Sequence, residues 1–262
     1  MMASKTIKEN ILELQRYIDS EHTPQSSRPK IQRVPQYLRN RTKFEEHYTP
    51  KLVSIGPIHH GKTDLKLGEK YKLMWAAEYI KNTRSLQKNL HKKIAENFYE
   101  LMDHFSDDVS ISTSESLEGY NTLKEKLSWM LFVDGCSLLH ILEKADLDKP
   151  GDMNIKRDQV AIVMVDVLLL ENQLPYEVLK LLWKDDESEL IKSMRKFLNR
   201  CYWDTPDESR SEKEKDVVPN IRGEGEHSVS ITNESQSKTP FHLLDLLHKL
   251  NRTTSKSKVQ YN

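Results

Sequence analysis

The sequence predicts a mainly α protein: an irregular multi-helix bundle with a disordered acidic linker and a short C-terminal helix. Three observations carry that prediction. Apolar residues recur every three or four positions over most of the chain. No series of alternating apolar and polar residues marks out strands, and no internal repeat is visible. One long tract, Asp204 to Lys238, contains no aromatic residue.

The elements follow in order. Ile7, Ile11, Leu14 and Ile18 stand at helix spacing, and Thr6 with Glu9 has the spacing of a capping box. "EHTPQSSRPK" (Glu21 to Lys30) reads as a linker, so residues 1–30 form an N-terminal helix and its linker. Val34 precedes Pro35 and is therefore extended, and Pro35 opens a short helix. Leu67, Tyr71, Met74 and Trp75 predict a helix to about Ile80. Leu86, Leu90, Ile94, Phe98, Leu101 and Phe105 predict one longer helix, ended by the polar "SDDVSISTSE". Leu123, Leu127, Met130, Leu131, Leu138, Ile141 and Leu142 predict the next. Asp158 to Glu171 is apolar on nearly every face, as a central helix packed all round should be. Pro175 starts a helix with Tyr176, Leu179, Leu182 and Trp183 inward, and Leu190, Met194, Phe197 and Cys201 give a last long one. Residues 31–203 thus read as one helical domain.

Beyond it the composition changes. Residues 204–238 carry nine acidic against five basic groups and bury too little apolar area to offset the entropy of ordering. They read as a disordered linker. In residues 239–262, Thr239 is placed to cap a helix, with Pro240 at its first position and Phe241, Leu244, Leu247 and Leu250 as its stripe. A helix this short is marginal alone in water, so it is expected to dock on the helical body.

Totals exclude some functions. Forty basic residues balance forty acidic ones, which removes the electrostatic case for nucleic acid or an anionic membrane. Two cysteines, Cys136 and Cys201, build no disulfide framework and suit a reducing compartment. "MMASKTIKEN" has no apolar signal region. "VAIVMVDVLLL" (Val160 to Leu170) is interrupted by Asp166 and is shorter than the ~20 residues a spanning helix needs. The expectation is a cytoplasmic or membrane-peripheral chain without a cofactor.

One stretch invites a sharper reading. Gly56 to Thr63, "GPIHHGKT", matches the pattern G-x-x-x-x-G-K-[ST], in which backbone N–H groups cradle phosphates, here with Lys62 on the outer phosphates and Thr63 on magnesium. "VAIVMVD" imitates a strand ending in a metal-holding carboxylate, Asp166. Such a loop needs a parallel sheet, which the sequence does not provide, and Pro57 has no N–H to donate. The structural reading is stronger: Gly56 and Gly61 supply unusual backbone angles, Pro57 fixes one dihedral, and Thr63 or Asp64 caps the following helix.

Other candidates read structurally as well. His59 and His60 are adjacent, so their side chains diverge, one bonding inward and one meeting solvent. With only His47 as a third imidazole within reach, a zinc site lacks ligands. In "DGCS", Cys136 is a small core residue next to Gly135. Asp134 falls on the apolar stripe and must find a partner or take up a proton, with pairing to Arg33, Arg39 or Arg84 the expected outcome. Glu171, Asn172 and Gln173, before Pro175, are expected to bind backbone carbonyls and N–H groups at the helix junction.

"RVPQYLR" (Arg33 to Arg39), "YTPKLVSIGPIHHGK" (Tyr48 to Lys62), "VDGCSLLHIL" (Val133 to Leu142), "DVLLLENQLPYEVL" (Asp166 to Leu179) and "HLLDLLH" (His242 to His248) occur in that order. Together they resemble the plant-specific family called domain of unknown function two-four-seven. The resemblance implies a helical plant protein with no established enzymatic activity. Some members lie at grass self-incompatibility loci, where a recognition or signalling role is inferred. Members usually continue into a second half and end in an apolar membrane anchor, whereas this sequence stops fourteen residues after His248 and reads as a truncated member. The residue after the second motif glycine varies among members, which makes Lys62-Thr63 a coincidence. Gly68 stands where members often carry methionine, and "NIKRDQVAIVMVD" diverges from the usual approach to the Asp. The function expected is a non-catalytic interaction or signalling module with an unknown protein partner. The alternative is a nucleotide-binding hydrolase using Gly56, Gly61, Lys62, Thr63 and Asp166.

Overall fold

One helix, Leu123–Lys144, organises the protein, because almost nothing on it faces water. From Lys126 to Leu142 every residue except Trp129 is buried. The side chain of Thr122 accepts the Glu125 N–H at 3.1 Å and starts it, as an N-cap should. The computed structural model describes residues 7–19, 29–39, 48–83, 87–106, 109, 117, 119–203 and 239–258. In chain order the helices are α1 (Ile7–Asp19), α2 (Gln36–Arg39), α3 (Lys66–Thr83), α4 (Gln87–Glu96), α5 (Phe98–Met102), α6 (Leu123–Lys144), α7 (Arg157–Asp166), α8 (Tyr176–Leu182), α9 (Glu187–Trp203) and α10 (Leu243–Lys258). The helical class read from periodicity is correct. Among the described residues there is no sheet, only an isolated parallel bridge between Ile31 and Phe105.

Contacts divide the chain into Met1–Lys30 and Ile31–Asn262. The first unit contributes α1, whose Ile7, Ile11, Leu14 and Ile18 are all exposed. In the second unit α3, α4, α8 and α9 all pack on α6. Small residues in the middle of α6 allow this. A Cβ on Gly135 would stand 2.5 Å from Leu182 Cδ1 and 2.9 Å from Val178 Cγ1, so α8 lies directly on the glycine. Polar tips inside the core find carbonyls: the Trp75 indole donates to Met153 O at 2.8 Å, and the Tyr79 hydroxyl to Leu182 O at 3.0 Å.

Several expectations need correction. The central helix is α6, not Asp158 to Glu171. Helix α7 ends at Asp166, and Val165 and Leu170 are 61% and 46% exposed. Side-chain amides end it: Asn172 Nδ2 donates to Asp166 O at 2.8 Å, and Gln173 Nε2 to Val167 O and Leu169 O at 2.9 and 2.8 Å. These carbonyls would otherwise accept the N–H groups of a further helical turn. The single helix expected over 86–105 is two, broken at Asn97 (φ −95°, ψ 11°), whose side chain donates to Lys93 O. The break turns the chain so that Ile31 N–H reaches His104 O at 2.7 Å and Ser106 N–H reaches Ile31 O.

The last helix begins at Leu243 rather than Pro240. His242 Nδ1 accepts the Asp245 N–H at 3.1 Å and Asp245 Oδ2 accepts the Phe241 N–H at 2.8 Å, a reciprocal cap that Thr239 does not provide. The inward face therefore centres on Leu243 and Leu246, with Phe241, Leu247 and Leu250 partly buried at its sides. The helix docks on the body through Tyr176 N–H to Phe241 O (2.9 Å) and Leu244 N–H to Gln173 Oε1 (3.2 Å). The acidic linker read over 204–238 lies outside the described residues, as do Thr6, His47, Arg84 and Leu86. No helix among the described residues is long and apolar enough to cross a membrane.

Candidate functional site

Residues 51–61 run through the protein without regular structure, yet Leu52 to His59 are buried. Buried backbone N–H groups need acceptors, and here side chains supply them. Asp166 Oδ1 accepts from Lys51 N–H at 2.9 Å, and its Oδ2 from Leu52 and Val53 N–H at 2.7 and 2.9 Å. Asn172 Oδ1 accepts from Ile55 N–H at 2.6 Å while its Nδ2 donates to Val53 O at 2.9 Å. Burial pushes the Asp166 carboxyl up, and the three N–H groups pull against it.

The loop then turns at Gly56 (φ +79°), where a Cβ would sit 2.7 Å from Gln173 O. Its N–H donates to Asp134 Oδ2 at 2.8 Å. Asp134 is 1% exposed, as its place on the stripe required, but among the described residues no arginine pairs with it. Its partner is Lys72 of α3, fully buried, with Nζ 2.6 Å from Oδ1. Lys72 also meets Glu69 Oε1 at 2.9 Å and Ser54 Oγ at 3.4 Å, and Ser54 Oγ donates to Glu69 Oε1 at 2.9 Å. Burial works against the ammonium, and the Asp134 and Glu69 carboxylates outweigh it, holding the Lys72 pKa above its ordinary value. Two of the expected arginines act elsewhere: Arg33 donates to Ile58 O at 3.2 Å, and Arg39 pairs with Glu171.

Glu171 is the second knot. Its Oε1 accepts the Val34 N–H, one residue before Pro35, and its Oε2 meets both the Arg39 guanidinium and, at 3.2 Å, His59 Nε2. His59 Nε2 also lies 3.1 Å from Tyr48 O. Burial opposes the Glu171 charge, but these hydrogen bonds prevail and hold its pKa at about 2. The polar triplet Glu171-Asn172-Gln173 binds backbone at the helix junction, as expected, through the Asp166, Val167 and Leu169 carbonyls, and also binds distant backbone through Val34, Ile55 and Leu244 N–H and Val53 O. Pro175 is the N-cap of α8.

This geometry does not suit a phosphate loop. Gly56 N–H is held by Asp134, Lys62 N–H lies against His59 O, and Asp166 ties down backbone instead of facing a metal. Gly61 does take the unusual angle expected, φ +79°. Lys62 precedes a short 3-10 turn, Thr63–Leu65, and neither Thr63 nor Asp64 caps it; the N-cap is Lys62, with no side-chain bond. Among the described residues no group of three His, Cys, Asp or Glu is placed to hold a metal. Burial pushes the Cys136 thiol up to about 12, the opposite of a nucleophile.

Where the loop meets α3 and α6, a cavity of about 160 Å³ opens. Its lining mixes polar residues, His60, Glu69, Lys126 and Asp134, with apolar ones, Leu73, Trp129 and Met130. His60 Nδ1 is buried without a hydrogen-bond partner. Lys72 and Gly68 are residues that sequence reasoning missed. Both lie with Trp75, Ala76 and Tyr79 on the buried face of α3, at helical spacing. That spacing was the available signal: a lysine and a glycine on a core stripe call for a buried carboxylate and a close backbone.

A family model described as a plant protein of unknown function matches residues 31–261. Two proteins of Arabidopsis thaliana are similar. A UPF0481 protein is 26% identical over 221 residues, 77% of this chain and 42% of its own length. A putative UPF0481 protein is 28% identical over 175 residues, 65% of this chain and 30% of its own. The chain thus spans less than half the length of these curated relatives. No solved structure matches it.

Proposed function

The chain belongs to the DUF247 family of plant proteins of unknown function, and on that premise we propose that it is a non-catalytic interaction module in signalling, part of a membrane-associated protein. One observation carries this reading. The chemistry-bearing side chains of the shared blocks, Asp134, Asp166, Glu171, Asn172 and Gln173, are buried and bonded to backbone or to buried ion-pair partners. Groups held this way stiffen a scaffold and leave its outer surface to act. Balanced charge favours a protein partner over nucleic acid or bare anionic lipid.

Co-sedimentation with plant membranes tests the reading. The chain is expected to bind intact membranes and to lose binding when the membranes are first stripped of protein by protease. Equal binding to stripped membranes points to lipid and overturns the protein-partner reading. Saturable magnesium-ATP binding, lost in Lys62→Ala, overturns the non-catalytic reading.

A further inference from the structure

The C-terminal segment carries what it needs to act as a separate piece. Its cap is internal: His242 Nδ1 accepts the Asp245 N–H, and Asp245 Oδ2 accepts the Phe241 N–H. Lys249 Nζ, 2.8 Å from Asp245 Oδ2, also donates to Thr239 O at 3.2 Å and ties the first turns back to the chain before them. The anchors are Leu243 and Leu246, each 2% exposed, with Leu247 and Leu250 packed beside them. They stand at i, i+3, i+4 and i+7, the spacing with which an amphipathic helix lies in a partner's groove. Residues 204–238 join the segment to α9, and a tract of that length spans at most about 120 Å. The tether therefore sets no position, and the seat selects the helix.

The seat is held in shape from behind. Gln173, whose Oε1 accepts the Leu244 N–H, is fixed by its Nε2 bonds to Val167 O and Leu169 O. Tyr176, whose N–H donates to Phe241 O, is fixed by its hydroxyl on Glu187 Oε1 at 3.1 Å. His104 stacks on the Phe241 ring at 5.5 Å. Its backbone oxygen accepts the Ile31 N–H, and its Nδ1 lies 2.9 Å from Glu100 O. Helix α9, on which α10 packs, packs in turn on α6. Each of these supports lies outside α10.

We propose that this seat is an exchangeable helix-binding groove, with α10 as its tethered occupant. The partner it fits is an amphipathic helix of another protein, with apolar residues at i, i+3, i+4 and i+7 and an aromatic residue two positions before the first. This names a surface and a partner class for the interaction module, and it rests on that reading only for the existence of a partner.

A flexible tether supplies an effective concentration on the order of 1 mM. A dissociation constant on the order of 10 µM then keeps α10 seated about 99% of the time. An outside helix finds the groove open about 1% of the time, a penalty of about 100-fold. The experiment titrates a fluorescein-labelled peptide of residues 239–258 with the full chain and with full-chain Leu246→Asp, whose carboxylate does not suit the buried position. The variant should bind the peptide with a constant on the order of 10 µM, and the parent about 100-fold more weakly. Adding His104→Ala to the variant should weaken the peptide about threefold, by loss of the stack on Phe241. A protease site inserted within 204–238 reads the same exchange with the anchors intact: after the cut, excess labelled peptide should replace the native segment. A cut chain that keeps its segment or unfolds overturns the proposal. So does a folded Leu246→Asp chain that binds the peptide no better than the parent, or undiminished binding with His104→Ala. Dimers of the parent chain at about 100 µM, well below the effective concentration, would make a second copy the occupant and overturn it too. The exchange is read without membranes, so it can fail while membrane binding stands, and the reverse.

Discussion

The carbonyl oxygen of Leu52 lies 1.9 Å from the point where a side chain on Gly68 would begin. Helix α3 and the buried loop therefore touch backbone to backbone, and no residue other than glycine fits position 68 without moving one of them.

Gly68→Ala should be strongly destabilising. Overpacking a core typically costs 1–3 kcal/mol, and here the obstacle is backbone, so a loss of about 3 kcal/mol is expected. Gly151→Ala is the control, because a Cβ there meets nothing within 4 Å. It should stay within about 0.5 kcal/mol of the parent. Urea unfolding of the two variants decides; equal stabilities would show that the loop yields freely.

Asp134→Ala should lose about 3–5 kcal/mol, since it strands a buried ammonium and also removes the acceptor of Gly56 N–H. The double variant Lys72→Met with Asp134→Leu should lose clearly less than the sum of the two single losses, because it removes both charges together. Additive losses in a denaturant series would mean the pair does not act as a unit.

Acid should attack the Glu171 knot. Its folded-state pKa, about 2, lies below the ordinary 4.5. The ionised carboxylate thus contributes stability that is fully present above pH 4.5 and is lost as the pH falls through about 2. Glu171→Gln should be less stable than the parent at pH 7 and should flatten the stability–pH profile in that window. Parallel profiles for the two proteins would assign the acid sensitivity to another group.

His242 should give a second slope, at higher pH. Burial lowers its pKa to about 4, with Asp245 pulling it up and Lys249 pushing it down. The unfolded chain therefore binds the proton first as the pH falls from 6.5 to about 4, and stability declines across that range. Protonation also removes Nδ1 as the acceptor that caps α10. His242→Asn keeps a capping acceptor without the titration, so hydrogen exchange of α10 at pH 5 should be slower, relative to pH 7, in the variant than in the parent.

The helices were legible because their apolar spacing is a local property. Leu190, Met194 and Phe197 mark the inner face of α9 in the sequence, and all are fully buried. Helix ends were less so. The polar run at Gln173 did mark a junction where backbone carbonyls need donors, but nothing local says that Asn97 will break a continuous apolar pattern. The burial of Asp134 followed from its place on a stripe, while its partner did not, because long-range pairing depends on which helices meet. Arginines near the shared blocks drew attention from Lys72, whose own position on a buried stripe was the better guide. The turn at Gly56 and Gly61 was readable from glycine alone. Its acceptors, more than seventy residues away, were not.

Each N–H from Lys51 to Val53, and that of Ile55, bonds a side chain made 113 to 117 positions later in the chain. Until the ribosome has passed Asn172, this stretch of backbone has none of those acceptors and must remain hydrated. The loop therefore cannot complete these hydrogen bonds until Asp166 and Asn172 have been made. A nascent chain stalled before Asp166 would expose the loop to chaperones and proteases, whereas one released after Gln173 can bury it.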